Sequence, residues 1–441
     1  MSRRGLCGRL ADKIDKIELF HVAIPLPTPF YPAWIPGFPE THRHSTLLRV
    51  TTREGFVGHA TGLAYGKERE GLGDFIGRFL LGLDPADAPA AARRIREASF
   101  LGWRNNWMET AFWDLAAQEQ GIPVWQLLKN HIPDAQSVSN ATFSSALSRV
   151  YAYASFAEYR PPIARMESLE RAQAAGFLGA KIVLRGQNEA EDLAQLRSAR
   201  QGVGENFALM AHAHQAWNVA LLEDIPRWTP ERTRRLATEA AQRDFLWLQE
   251  PFHVDDIEAQ RQFVDEAPIS LAGGDIANGQ SVLQYLARSR LVNVLTPDVS
   301  FSGLDACSKL MMTAKRQNIA FSPSCYGDGV SLAANLHLAT AWINYAETSK
   351  EVWLEYPWEP PAMVPQFRDA LLSSPLEIEA DGSMRPLMKA GLGIEINEKM
   401  LQKYGERFYS LTPVRFAVST ARRSGLRQTA AFARNPRRRS P

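Results

Sequence analysis

Along the second half of the chain, ionisable and amide side chains recur at the ends of short apolar runs: Lys181, His212, His214, Gln249, Glu250, Asp275, Asp298, Ser324 and Glu355. Histidine exchanges protons near neutral pH, carboxylates hold protons or cations, and a lysine offers positive charge or acts as a base. Burying so many charges singly in ordinary core strands would be costly, so convergence on one site is the simpler explanation. His212 and His214 are two residues apart, a spacing that puts both on the same face of a strand.

The elements that must position these residues show in the period of the sequence. After Arg149, short apolar runs alternate with amphipathic segments of roughly ten to fifteen residues, the pattern of successive parallel βα units. Strands are predicted at residues 150–155, 180–184, 208–213, 246–249, 269–272, 292–295, 319–322 and 352–355. Such a set closes a barrel, and in a βα barrel the chemistry gathers at the C-terminal strand ends. Helical stripes lie between them, for example Leu304, Cys307, Leu310, Met311 and Ala314, or Leu332, Leu336, Ala339 and Ile343.

Upstream, residues 13–62 read as an antiparallel meander with a turn at Arg53-Glu54-Gly55. Residues 84–128 switch to a helical period through Trp107, Ala111, Asp114 and Leu115 and end at Gly121-Ile122-Pro123. Residues 25–39 are rich in proline and aromatics, including Phe30, Tyr31, Trp34 and Phe38, and are expected to form a lid over a pocket. A polar stretch at 133–148 is expected to link two domains.

With 441 residues and 45% hydrophobic content, the chain can bury a large core, and it contains no apolar run long enough for a membrane span. The charged N-terminus lacks the apolar stretch of a signal peptide, and Cys7, Cys307 and Cys325 form no paired framework. A cytoplasmic protein is expected, with no membrane partner. Residues 415–441 carry eight arginines and no acid, which leaves the body net acidic. That basic tail is expected to be a disordered extension, and no specific nucleic-acid partner is expected.

Six segments in order resemble the enolase superfamily in its mandelate racemase and muconate lactonizing enzyme branch. They are Gly176-Phe177-Leu178-Gly179-Ala180-Lys181, His212-Ala213-His214-Gln215-Ala216-Trp217, Trp247-Leu248-Gln249-Glu250-Pro251, Ala272-Gly273-Gly274-Asp275, Thr296-Pro297-Asp298-Val299-Ser300 and Gly393-Ile394-Glu395. The resemblance implies an α/β fold: a (β/α)7β TIM-like barrel over residues 136–375 and an N-terminal α+β capping domain over 1–135. A C-terminal segment, 376–414, would return to the cap ahead of the tail at 415–441. It also implies a homo-oligomer and Mg²⁺ held by carboxylates at the third, fourth and fifth barrel strands. That cation would stabilise the charge that develops when a base removes a proton next to a carboxylate.

This chain departs from that pattern. The three metal positions carry His212, Gln249 and Asp275, a set better suited to Zn²⁺ or Mn²⁺ than to Mg²⁺. Glu250 could swing in to join them, yet side chains alternate along a strand, so it should point away from Gln249. The second lysine of the usual Lys-x-Lys is missing after Lys181, and Ser324 replaces the histidine that would pair with Asp298. The resemblance to acid-sugar dehydratases makes His214 the first candidate for acid/base catalysis, with Lys181 and Asp298 as further catalytic candidates. A structural ion pair of Lys181 with Asp298 or Asp275 is the other use of that lysine. Glu355, Ser324, Tyr326 and Trp34 are expected to meet a small carboxylate or acid-sugar substrate, and Asp328 is expected to be a turn residue. Dehydration of an acid sugar is the leading expectation. A racemase or epimerase, a hydrolase at a transition metal, and a silent sugar-acid-binding barrel are the alternatives.

Overall fold

The computed structural model describes residues 12–64, 77, 80–99, 104–132, 149–184, 188–216, 222, 226–347 and 351–434. The expected linker at 133–148, Cys7, Trp217 and the last arginines of the tail lie outside the described residues. Among the described residues no helix is long and apolar enough to cross a membrane.

The N-terminal sheet is antiparallel. Strands β1 (Ile14–Phe30), β2 (Glu40–Thr52) and β3 (Val57–Leu63) pair in sequence, and the turn between β2 and β3 uses Gly55 at φ 93. The last strand of the chain, β13 (Gly405–Leu411), adds to the other side of β1 and gives the order β13-β1-β2-β3. Helix Thr110–Gln120 packs on this sheet and buries Phe112, Trp113, Leu115 and Ala116, with helices Ala88–Ser99 and Val124–Asn130 packed against it. Gly58 sits where a Cβ would run into the Ala111 carbonyl, so that strand and helix approach backbone to backbone.

The barrel strands follow in parallel: β4 (Val150–Ser155), β5 (Gly179–Val183), β6 (Ala208–His212), β7 (Phe245–Gln249), β8 (Ser270–Gly273), β9 (Val294–Leu295), β10 (Ala320–Phe321) and β11 (Val352–Pro357). They pair in the order β10-β9-β8-β7-β6-β5-β4-β11. The seventh and eighth strands meet through Glu355 N donating to Pro323 O at 3.1 Å and Ser322 Oγ donating to Trp353 O at 2.8 Å. Each predicted strand has its counterpart, shifted by a residue or two at the ends. A short β12 (Ser383–Met384) pairs antiparallel with β4.

The period of two decides what faces inward. Tyr153, Met210, Trp247, Ala272, Val294 and Trp353 form a buried cluster inside the barrel, and their sequence neighbours Ala154, Leu209, Leu248, Leu271, Leu295 and Leu354 belong to the core under the helices. Lys181, His212, Gln249 and Glu355 share the inward parity, one layer nearer the mouth.

Two expectations change. Residues 25–30 are the end of β1, not loop: prolines 25, 27 and 29 alternate, so their missing donors fall on one edge, and β13 covers β1 only as far as Val22. The loop proper is therefore the shorter stretch at 31–39. The tail expected to be disordered from residue 415 forms a helix, Pro413–Arg434, broken at Gly425 (φ 79). Its first turns are anchored by the buried Phe416 and Thr420.

Cap, barrel and C-terminal return are joined by buried polar groups. The Asp114 carboxylate accepts from Leu392 N at 2.8 Å, His59 N at 3.1 Å and Gln118 Nε2 at 2.8 Å, and burial raises its pKa to about 6. Gly391, at φ 76, lies where a Cβ would strike that carboxylate. His337, on helix Gly329–Ala346, accepts from Trp125 N at 3.1 Å through Nδ1 and donates to Leu392 O at 3.0 Å through Nε2.

Two outcomes follow. Asp114→Ala strands three donors and should cost about 2–4 kcal/mol in urea denaturation. Burial lowers His337 to about 4 and His59 to about 3, so the unfolded chain gains protons first on acidification. Their contribution to stability is complete above pH ~6.5 and is lost as pH falls through that value toward 4, at up to ~1.4 kcal/mol per pH unit for each histidine. A urea midpoint series should show this slope, and His337→Gln should make it shallower.

Candidate active site

The site is built where the inward-facing residues of adjacent strands run out of apolar neighbours. Lys181, buried on β5, sits over the Tyr153 ring at 5.4 Å, donates to Gln249 Oε1 at 3.1 Å and pairs with Glu355 Oε1 at 2.7 Å. The ion pair is thus with Glu355, not with Asp298 or Asp275. Glu355 also accepts from Ser155 Oγ and from Cys325 N, the latter at 3.0 Å. Burial pushes the Glu355 carboxyl up, but the Lys181 charge and hydrogen bond outweigh this and hold it below its ordinary pKa.

Next to this pair, His212, Glu250 and Asp275 bring one ligand atom each to within 4.8 Å of one another. His212 Nε2 is 3.3 Å from Glu250 Oε2. Strand alternation pointed Glu250 away from the mouth, and the backbone corrects that expectation. Glu250 has φ 51, a left-handed conformation uncommon for a residue with a Cβ. The strand ladder ends there, and the side chain turns inward. The turn is held by Glu250 N donating to Ala272 O at 2.9 Å and Gln215 N donating to Glu250 O at 3.0 Å. Gln249, expected as a ligand, already uses both ends of its amide: Oε1 takes Lys181, and Nε2 donates to Asp275 Oδ2 at 3.0 Å. Asp275 stands at the partly exposed rim behind Gly274 and also accepts from Ile276 N at 2.8 Å.

The electrostatics follow from burial and crowding. Burial raises the Glu250 pKa. Burial and the Glu250 charge push Asp275 well above the usual carboxylate range. Burial lowers His212 to about 4, so its ring is neutral at pH 7. His214, again left-handed at φ 51, stacks on His212 with ring centroids 3.6 Å apart. Burial, then the neighbouring His212 ring and the Lys181 charge, drive its pKa well below the ordinary value. Its Nδ1 has no hydrogen-bond partner among the described residues. In the tautomer protonated at Nε2, that nitrogen is free to accept a proton.

Asp298 is brought elsewhere. Its carboxylate accepts from Ser300 N at 2.8 Å and Asn335 Nδ2 at 3.0 Å, capping the short helix Val299–Ser302, and burial raises it to about 7. Ser324 is buried beside the Tyr153 hydroxyl. Asp328 caps helix Gly329–Ala346 through Val330 N and Ser331 N and accepts from Thr61 Oγ1 at 2.6 Å, which is more than a turn residue's part.

The 31–39 loop reaches the mouth through Trp34, whose ring lies 6.3 Å from that of His214 and packs edge-on to Tyr326 at 5.2 Å. Arg43, on β2, donates to Tyr326 O at 3.0 Å. The loop is fastened to the segment after β4: Ala33 N donates to Ala157 O at 2.8 Å and Tyr31 N donates to Glu158 Oε1 at 2.9 Å. That segment is held by Glu359, whose buried carboxylate accepts from Ala157 N at 3.0 Å and Glu158 N at 3.3 Å and pairs with Arg165 and Arg160, each at 3.2 Å. Sequence reasoning missed Glu359, Ser155 and Tyr153 as supports. Nothing in the spacing of Trp358-Glu359-Pro360 separates this buried hub from a loop acid.

Comparison with known proteins agrees with this architecture. The family model described as "Enolase C-terminal domain-like" matches residues 164–400, and that for the "Mandelate racemase / muconate lactonizing enzyme, N-terminal domain" matches residues 25–129. The chain is 24% identical over 407 residues to the L-talarate/galactarate dehydratase of Salmonella typhimurium, covering 88% of this chain and 90% of the relative. It is 24% identical over 388 residues to the D-gluconate dehydratase of Thermoproteus tenax, covering 82% and 70%. The crystal structure of the Salmonella enzyme superposes with a TM-score of 0.73 at 21% identity, over 93% of this chain and 96% of that one. The 3,6-anhydro-D-galactonate cycloisomerase from Zobellia galactanivorans superposes with a TM-score of 0.71 at 19% identity, over 89% and 99%. At these identities the superpositions establish the fold.

The Glu359 hub yields a test. Glu359→Gln keeps an acceptor for the two backbone donors but leaves Arg165 and Arg160 without their shared charge. It should cost about 3 kcal/mol and expose the 31–39 loop to limited proteolysis, read by the masses of the fragments.

Proposed function

This chain belongs to the mandelate racemase and muconate lactonizing enzyme branch of the enolase superfamily, and from that premise we propose that it is a hydro-lyase that dehydrates an acid sugar. The observation that carries the reading is His214: a half-buried, neutral imidazole whose Nδ1 has no partner among the described residues, stacked on His212 and facing Trp34. The named dehydratases among its relatives support the same reaction class.

In this account His214 takes the proton from the carbon next to the substrate carboxylate. The hydroxyl on the following carbon leaves with a proton as water, so the proton His214 removed can be the one it returns. The resulting enol becomes the 2-keto-3-deoxy acid. One group suffices for both transfers, whereas racemisation needs a base on each face, and the two usual positions are Val183 and Ser324 here. Lys181, fixed by Glu355 and Gln249, contributes positive charge near the developing anion. Trp34 and Tyr326 exclude water above it.

The family implies a divalent cation, and the residues fit one. A neutral ring nitrogen and two crowded carboxylates lie within 4.8 Å of one another, and the carboxylates need a counter-charge. His212, Glu250 and Asp275 would hold it, with Gln249 bracing Asp275. When bound, it would supply the positive charge that polarises the substrate carboxylate. The resemblance suggests Mg²⁺; the donors suggest Zn²⁺ or Mn²⁺. A homo-oligomer is a further part of this proposal, and sedimentation equilibrium would test it.

A ligand-binding barrel without turnover is the competing reading, favoured by one observation: Lys181 is already committed to Glu355 and Gln249. A panel of aldonates and aldarates separates the two. Formation of a 2-keto-3-deoxy acid and solvent deuterium exchange at the α-carbon are expected with at least one acid, and His214→Asn should lower both by at least ~100-fold while binding persists. Binding with neither product nor exchange across the panel would refute turnover.

A further inference from the structure

The donor set at the mouth differs from an all-carboxylate cage at two strands, and each difference has a structural cause. On β6 the donor is an imidazole, and its ring is fixed on one side by the His214 stack and on the other by Glu250 at 3.3 Å. On β7 the expected donor position holds an amide that is fully occupied between Lys181 and Asp275. The oxygen on this strand comes instead from the next residue, carried inward by the left-handed backbone at Glu250.

The charge count points the same way. Lys181 and Glu355 cancel as an ion pair at 2.7 Å. Two carboxyl groups, Glu250 and Asp275, then share the corner with the His212 ring and no paired lysine or arginine among the described residues, a donor set with room for one divalent ion. Magnesium demands near-octahedral oxygen coordination and binds imidazole poorly, whereas a first-row transition ion gains from nitrogen. Three protein ligands of mixed nitrogen and oxygen, with Asp275 on the partly exposed rim, match the pattern of a zinc site that keeps a position free.

We propose that this mouth selects a transition-metal cation of the Zn²⁺ class over Mg²⁺ through His212, Glu250 and Asp275, with Gln249 bracing Asp275 from outside the ligand set. The inference rests on the functional reading only in taking the mouth as a cation site.

The test uses the full chain, stripped with a chelator and dialysed against Zn²⁺, Mn²⁺ or Mg²⁺, with bound metal counted by mass spectrometry. One Zn²⁺ per chain is expected, held at least ~100-fold more tightly than Mg²⁺. Glu250→Gln and His212→Ala should each weaken Zn²⁺ by ~100-fold or more, and Gln249→Ala by only ~10-fold, the size of a supporting contact. Substituting Co²⁺ should give a visible spectrum that changes in His212→Asp, a variant that should also move preference toward Mg²⁺. Circular dichroism identifies any variant that fails to fold, and the remaining ones then decide. Equal or tighter Mg²⁺ binding by the unaltered chain would overturn the proposal. So would Zn²⁺ binding that survives Glu250→Gln but is lost in Gln249→Ala. Zinc binding without dehydration of any acid sugar would sink the functional reading and leave the cation assignment standing. Dehydration supported by Mg²⁺ alone would do the reverse.

Discussion

Two carboxylates share one corner of a barrel mouth with a neutral imidazole, and the surrounding structure is arranged around that unfavourable meeting. Like charges at close range in a desolvated setting repel strongly unless a proton or a cation lies between them. Glu250 and Asp275 meet this condition, and burial raises the pKa of both. Their neighbours remove the obvious remedy, because the Lys181 ammonium is drawn to Glu355 and reaches Asp275 only through the Gln249 amide. The corner is left short of positive charge, and that shortage is what makes it a site.

Positioning such a corner demands rigidity on both sides. Below it, Tyr153, Met210, Trp247 and Trp353 fill the barrel and set the height of the layer that carries Lys181, His212, Gln249 and Glu355. Above it, the 31–39 loop is fastened: Glu359 holds the segment after β4, and that segment holds the loop that carries Trp34. Farther out, Asp114 and His337 tie the cap helices to the C-terminal return. Buried charge and hydrogen bonding therefore couple the cap to the mouth over several independent contacts.

The departures from the family pattern are mutually consistent. A histidine on the third barrel strand brings nitrogen, an amide on the fourth cannot act as an anion, and the left-handed residue after it restores a carboxylate from one position later. Ser324 has no histidine's reach, and Asp298, freed from a partner there, serves as a helix cap. With Val183 and Ser324 at the usual base positions, the imidazole beside the corner is His214, stacked on His212 with its Nδ1 unpartnered among the described residues.

The sequence by itself determined the alternation of short apolar runs and amphipathic segments, and with it the barrel, the cap and the strand ends where chemistry gathers. Those features depend on local period, which every residue reports independently. It also placed His212, His214, Gln249 and Asp275 near one another, since all terminate adjacent strands. Tertiary structure alone decided which of them act together. The inward turn of Glu250 comes from a single backbone angle that no side-chain pattern encodes, because the period-two rule holds only while the strand continues. The same is true of Lys181, whose partner Glu355 lies two strands away beyond β4, and of Glu359, whose role depends on two arginines almost two hundred residues away in sequence.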